Sequence, residues 1–216
     1  MNFKKTMKID NLLINDRYKA FGDRERYCAE QLFTYINSKS KDYNYVFSPT
    51  TTGNAISYDG VLRVEYKHSG TIAAYYIVEI KVRETHYDTL ILDDPKLKSL
   101  KKEKRAKDKY FKSQWSDRTM GILYINFTDQ GTYIFDLIEI EDNKEMPKGE
   151  KHTADKVYVD PSQGKVTRVK YKLPLTLATK TNWIFDEQEY MQYLKEDIKY
   201  KTSIVKEIKT RTASIF

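Results

Sequence analysis

The chain has 216 residues and a mass of 25.6 kDa, enough for one domain of ordinary size. Its 38 Lys+Arg against 31 Asp+Glu give a net charge of +7, with 32% of residues charged and 40% apolar. That is too apolar and aromatic for a disordered polymer and too polar for a membrane protein, and the basic surplus suits a polyanionic partner such as nucleic acid.

In chain order, the first fifteen residues offer only Leu12–Leu13–Ile14 as an apolar stretch. That falls short of the roughly 7–15-residue apolar core of a signal peptide. No run elsewhere approaches the roughly 20 apolar residues that span a bilayer, so no membrane partner is expected. A helix is predicted from about Asp23 to Ser38, with Cys28, Leu32, Tyr35 and Ile36 on one buried face. Cys28 is the only cysteine, which rules out an intrachain disulfide or a cysteine-based zinc site and fits a reducing, cytoplasmic location. Glu25 lies about 20° from Leu32 on the same helical face, so it needs a partner, a job, or a place in the favourable first turn. Glu30 points to solvent.

Strand signals follow. Asn44 to Phe47 is short and aromatic, Pro49 to Gly53 turns the chain, and Ile56 to Tyr66 reads as a strand containing Asp59. Lys67–Gly70 supplies a hairpin turn into the strongest strand, Ala73 to Arg83. There Tyr76, Val78, Ile80 and Val82 face one way and Tyr75, Ile77, Glu79, Lys81 and Arg83 the other. Asp94-Pro95 opens a helix to about Lys109. Met120–Thr128 and Thr132–Ile140 read as strands joined by a hairpin turn at Asp129–Gly131, and Asp142–Asp155 as a long loop. Val157–Val159 and Val166–Leu173 read as later strands, and Asp186 with Glu189 opens a last helix to about Thr210. The expected fold is α/β (mixed α+β) around one mixed sheet, in a single domain over 1–216. Its core covers about 21–140, and about 141–216 form a C-terminal extension of strands and helix.

Two acidic positions carry chemistry. Aspartate is unfavourable inside a strand unless something employs it, which singles out Asp59. Twenty residues later, Glu79-Ile80-Lys81 puts a carboxylate and an ammonium on one face of the next strand. Neighbouring strands lie about 4.8 Å apart, so Asp59 and Glu79 could converge on one hard cation if their faces match. Mg²⁺ typically takes one or two carboxylates plus waters. Lys81 would then lie where it could orient a water or stabilise charge on a phosphate. Taken alone, a Glu–Lys pair on a strand is a solvated ion pair of little consequence.

With Asp59 and Glu79-Ile80-Lys81 in this order, the sequence resembles the PD-(D/E)xK nuclease superfamily, the restriction-endonuclease-like fold. The order helix, three strands, helix, strand agrees with that family's αβββαβ core, over roughly residues 21 to 140. The resemblance maps the family's metal-binding aspartate onto Asp59, its acidic–x–lysine motif onto Glu79-Ile80-Lys81, and its first-helix acidic residue onto Glu25. The basic residue of the helix after that motif maps onto Lys96, with Lys98 as the second candidate. Tyr58 stands where the family name implies proline, a common departure. What the resemblance implies is a DNA-cleaving phosphodiesterase that uses Mg²⁺, with Mn²⁺ as substitute. Asp59, Glu79, the Ile80 carbonyl and Glu25, directly or through water, would hold the metal. Lys81 would orient the attacking water and Lys96 would touch the phosphate or the leaving oxygen.

Residues Lys96 to Lys112 hold nine basic positions against Glu103 and Asp108, a surplus equal to the whole chain's net charge. The expected nucleic-acid contacts are Lys98, Lys101, Lys102, Lys104 and Arg105, joined by Arg83 and His86. A homodimer would favour paired cuts across a duplex. His68, His86 and His152 show no metal-ligand spacing, and no phosphate-binding loop, dinucleotide fingerprint or nucleophile elbow is present. The alternative reading is a catalytically silent DNA- or RNA-binding module of the same fold.

Overall fold

The computed structural model describes residues 22–50, 58–83, 86–115, 120–155 and 165–197. The described chain falls into two compact units, divided between Ile184 and Phe185.

The first unit is mixed α/β. Helix α1 (22–39) buries Cys28 and Leu32 of the predicted stripe together with Tyr27, Ala29 and Phe33, while Tyr35 and Ile36 are only half-buried. Phe33 stacks on Phe47 at 5.5 Å between ring centroids. Strands β1 (Tyr43–Pro49), β2 (Gly60–Tyr66) and β3 (Ile72–Val82) form an antiparallel meander, with Gly70 at φ +66 in the β2–β3 turn. The chain then makes β4 (Thr89–Asp93) and α2 (Asp94–Trp115), and returns as β5 (Met120–Thr128) parallel to β3. Strand β6 (Gly131–Asp136) pairs antiparallel with β5, and β9 (Thr179–Thr181) with β6, giving the order β1-β2-β3-β5-β6-β9. A second, three-stranded sheet has the order β4-β8-β7, from β7 (Glu150–Asp155) and β8 (Lys165–Pro174).

Central position explains the run Ile122–Phe127, buried almost without alternation: both faces of β5 are covered. On the α2 side, Leu97 and Leu100 join a core with Tyr75, Ile77, Leu90, Leu92, Ile122, Tyr124 and Phe135. Fully burying side chains of this size contributes about 1.5–3 kcal/mol each against leaving them exposed.

Several expectations are corrected. β2 begins at Gly60, so Asp59 stands in the bend just before the strand rather than within it. Its backbone N–H still donates to the Val78 carbonyl (2.9 Å), but its carboxylate bonds a backbone amide, the habit that makes aspartate a poor strand residue. The segment 137–140 is not strand. Asp136 caps a short helix, α3 (Leu137–Asp142), accepting hydrogen bonds from the Ile138 and Glu139 amides, and Leu137 and Ile140 share its buried side. The expected loop Asp142–Asp155 ends in β7, a polar strand held by its ladder to β8. β4 is an additional strand, and α2 runs on past Lys109. The expected turn over 51–53 and strand over 157–159 lie outside the described residues.

In the second unit, Asp186 Oδ1 accepts from the Gln188 and Glu189 amides and caps helix α4 (187–197). Tyr190 packs against Phe185 and Tyr193. The rest of the expected helix, to Thr210, lies outside the described residues. No helix among the described residues is long and apolar enough to cross a membrane.

Candidate active site

Glu79 sits on β3 with its side chain wholly buried, on the face that turns towards α2. A lone buried carboxylate costs several kcal/mol, and here two ammonium groups offset that cost. Lys96 Nζ, from the first turn of α2, lies 2.8 Å from Glu79 Oε2, and Lys81 Nζ lies 3.2 Å from Glu79 Oε1. The second contact is an ion pair out of hydrogen-bond alignment, and it leaves Glu79 Oε1 buried without a hydrogen-bond donor.

The other residues arrive from separate segments. Glu25, in the first turn of α1, reaches across to Lys81, accepting a hydrogen bond from Nζ at 3.1 Å. Lys81 Nζ also donates to the Ile80 carbonyl at 2.7 Å, so one ammonium gathers oxygens of Glu25, Glu79 and Ile80. Asp59 is fixed by its Oδ2, which accepts the Ile80 amide at 2.7 Å and ties the bend before β2 to the motif strand. Glu25, Asp59, Glu79, Lys81 and Lys96 therefore converge, as do both polar groups of the Ile80 backbone.

The electrostatics reflect three carboxylates against two ammoniums. Burial pushes the Glu25 carboxyl up from its ordinary value of 4.5 to about 7. Asp59 and Glu79 add to the rise, and Lys81 opposes it. Burial also raises Glu79, helped by Asp59 and opposed by Lys81 and Lys96. Desolvation works against the charge on Lys81, but Glu79, Glu25 and Asp59 outweigh it and hold the lysine above its ordinary range. The cluster thus sets two carboxyls with raised proton affinity beside one firmly protonated lysine.

Its donors towards a cation are all oxygens, the chemistry of a hard divalent ion such as Mg²⁺. Glu79 Oε1, buried without a hydrogen bond, is an atom such an ion would satisfy. Among the described residues no three His, Cys, Asp or Glu side chains close together as a ready-made ligand set. One or two carboxylates with a carbonyl and waters suffice for Mg²⁺. Lys81 and Lys96 keep about a third of their side-chain surface in solvent (36% and 34%), so the cluster is open at one edge. Two grooves of about 720 and 950 Å³ run elsewhere over the sheet, and none of the five site residues lines either.

The remaining expected contacts sort differently. Arg83 is turned to internal partners: Nε donates to Asn126 Oδ1 at 3.3 Å, and Nη2 to the Tyr124 hydroxyl at 3.0 Å and the Ile91 carbonyl at 3.3 Å. His86 packs against the Tyr133 ring at 5.6 Å. On α2, Lys98 pairs with Asp94, Lys101 with Glu141 and Lys104 with Asp108, while Lys102 and Arg105 stand in solvent.

One residue beside the cluster escaped sequence reasoning. Asn126 is fully buried on β5 in register with Lys81, its Oδ1 held by Arg83 and its Nδ2 without a partner. The available signal was a polar residue inside the apolar run Gly121–Phe127, the kind of signal that marked Glu79. Compared with protein families, with curated proteins and with solved structures, the chain matches none.

Proposed function

We propose that this protein is a metal-dependent nuclease that hydrolyses DNA phosphodiester bonds at the Glu25–Asp59–Glu79–Lys81–Lys96 cluster, on a restriction-endonuclease-like core. The observation that carries this reading is Glu79, buried between two lysines and joined by carboxylates from α1 and from the bend before β2. A protein gains little stability from such a cluster over apolar residues of the same volume, and groups of this kind concentrate where chemistry is done. The chain order α1, β1, β2, β3, α2, β5 of the main-sheet elements agrees with the family core, and the site lies towards the carboxyl end of β3 beside the parallel pair β3–β5.

In this reading Asp59, Glu79 and the Ile80 carbonyl would hold Mg²⁺, with Glu25 directly or through water. The ion would lower the pKa of a water and neutralise charge on the phosphate. The chain's own side chains do the rest. Lys81, kept protonated by its carboxylates, orients the attacking water and stabilises the extra negative charge at the phosphorus. Asp59, anchored on the Ile80 amide, fixes the bend against the motif strand. Lys96 holds Glu79 in place and, from its exposed side, meets the phosphate or the leaving oxygen. An open edge suits a long polymer better than a small molecule. The single, buried cysteine accords with a reducing cytoplasm.

The test is a panel of duplex, single-stranded and branched DNA incubated with the protein in Mg²⁺, in Mn²⁺ and in EDTA. Cleavage is expected only with metal, and it is lost in Lys81→Ala and Glu79→Ala while binding persists. If the wild type binds the panel and leaves all of it intact, the chain is a silent binding module.

A further inference from the structure

Ion pairing divides the cations of α2 into two sets. Those facing the body of the unit are engaged: Lys96 with Glu79, Lys101 with Glu141, Lys104 with Asp108, and Lys107 over the Tyr58 ring at 5.4 Å. Lys102, Arg105 and Lys109 are exposed, and among the described residues no carboxylate lies within ion-pair distance of them. They stand at i, i+3 and i+7, within about 60° of arc and along about 10 Å of helix axis. Lys98 opens the same stripe one turn earlier, three-quarters exposed but tied to Asp94. Lys96 lies about 120–180° around the helix from the three, so stripe and catalytic cluster occupy different faces.

We propose that this outward face of α2 is a second contact surface, separate from the catalytic cluster, for the phosphate backbone of duplex DNA. The ligand class rests on the nuclease reading above; the surface itself does not. Three like charges held side by side on a rigid helix repel one another, and a polyanion relieves that repulsion by replacing condensed counterions. A linear row of cations matches a linear row of phosphates. A membrane surface fits poorly, because an interfacial helix sets bulky apolar residues beside its basic face. Among the described side chains of α2, the only apolar one exposed near the stripe is Ala106, while Leu97 and Leu100 are consumed by the core.

The experiment measures fluorescence anisotropy of a labelled 30-bp duplex with the full chain in EDTA, over a series of salt concentrations. It compares wild type, the triple variant Lys102→Ala/Arg105→Ala/Lys109→Ala, and the double variant Lys101→Ala/Lys104→Ala. Alanine favours helix, and the triple Lys/Arg→Gln variant repeats the measurement should the alanine form misfold. The triple variants are expected to bind roughly tenfold more weakly at low salt, with the slope of log K against log salt reduced by about 3. The double variant should change that slope by less than about 1. The proposal is overturned if the triple variants bind as the wild type does, or if the double variant flattens the slope as much. It is equally overturned if the wild type ignores the duplex while binding polyglutamate or phosphatidylserine vesicles. If the slope change holds but the wild type cuts nothing in Mg²⁺ or Mn²⁺, the nuclease reading fails and this surface stands. If the wild type cuts and its triple variants bind equally well, the surface fails and the nuclease reading stands.

Discussion

Glu25 offers the sharpest quantitative consequence of the cluster. Its carboxyl is four-fifths withdrawn from solvent and titrates near 7 in the folded protein, against an ordinary value of 4.5. Because the folded acid holds its proton to higher pH than the unfolded one, the native state binds more protons between these values. Stability therefore falls as pH rises through that window. At about 1.4 kcal/mol per pH unit, the interval from 4.5 to about 7 amounts to about 3 kcal/mol. Glutamine keeps the shape and removes the titration. Lys81 stays charged throughout, since its pKa is raised above an already high value. Urea unfolding followed by circular dichroism, from pH 4.5 to 8 without metal, gives the free energies for wild type and Glu25→Gln. The wild type should lose about 3 kcal/mol more than the variant across the window. Parallel profiles would refute the reasoning, because Glu25 would then be titrating as an ordinary surface carboxylate.

Other outcomes follow from single contacts. Lys81→Met removes the ammonium shared by Glu25, Glu79 and the Ile80 carbonyl. Steady-state cleavage should fall at least about 100-fold, while metal-free filter binding of the same DNA should change little. Gly60→Ala would set a Cβ 2.5 Å from Phe47 Cζ and 2.9 Å from the Ser48 carbonyl oxygen, beside Asp59. Chemical denaturation should show a loss of about 1–3 kcal/mol from overpacking. Asp136→Ala removes the α3 cap and should cost about 1 kcal/mol in the same assay.

What the sequence made legible is what periodicity governs. The buried face of α1, the two faces of β3 and the polar residues among apolar ones on β3 all follow from spacing. The Glu25–Lys81 contact follows in part, since Glu25 shares a helical face with Leu32. What escaped was decided by partners far away in the chain. Glu150–Asp155 has no apolar alternation and is a strand only because β8 pairs with it. Ile138-Glu139-Ile140 alternates like a strand, yet the Asp136 cap and the burial of Leu137 with Ile140 favour helix. Thr89–Asp93 does alternate, exposed and buried by turns, but five residues before a helix give a weak signal. Among the nine cations from Lys96 to Lys112, the Lys104–Asp108 pair is a spacing of four on one helix, but only the positions of the distant Glu79 and Glu141 mark Lys96 and Lys101 as engaged.

The most direct measurement of the central claim runs the reaction in H₂¹⁸O and weighs the products. A labelled DNA incubated in Mg²⁺ with the wild type should yield new terminal phosphates carrying one ¹⁸O, and Glu79→Gln at the same occupancy of DNA should yield none. Product formed equally by Glu79→Gln, or no labelled phosphate from a wild type that binds the DNA, would contradict the account.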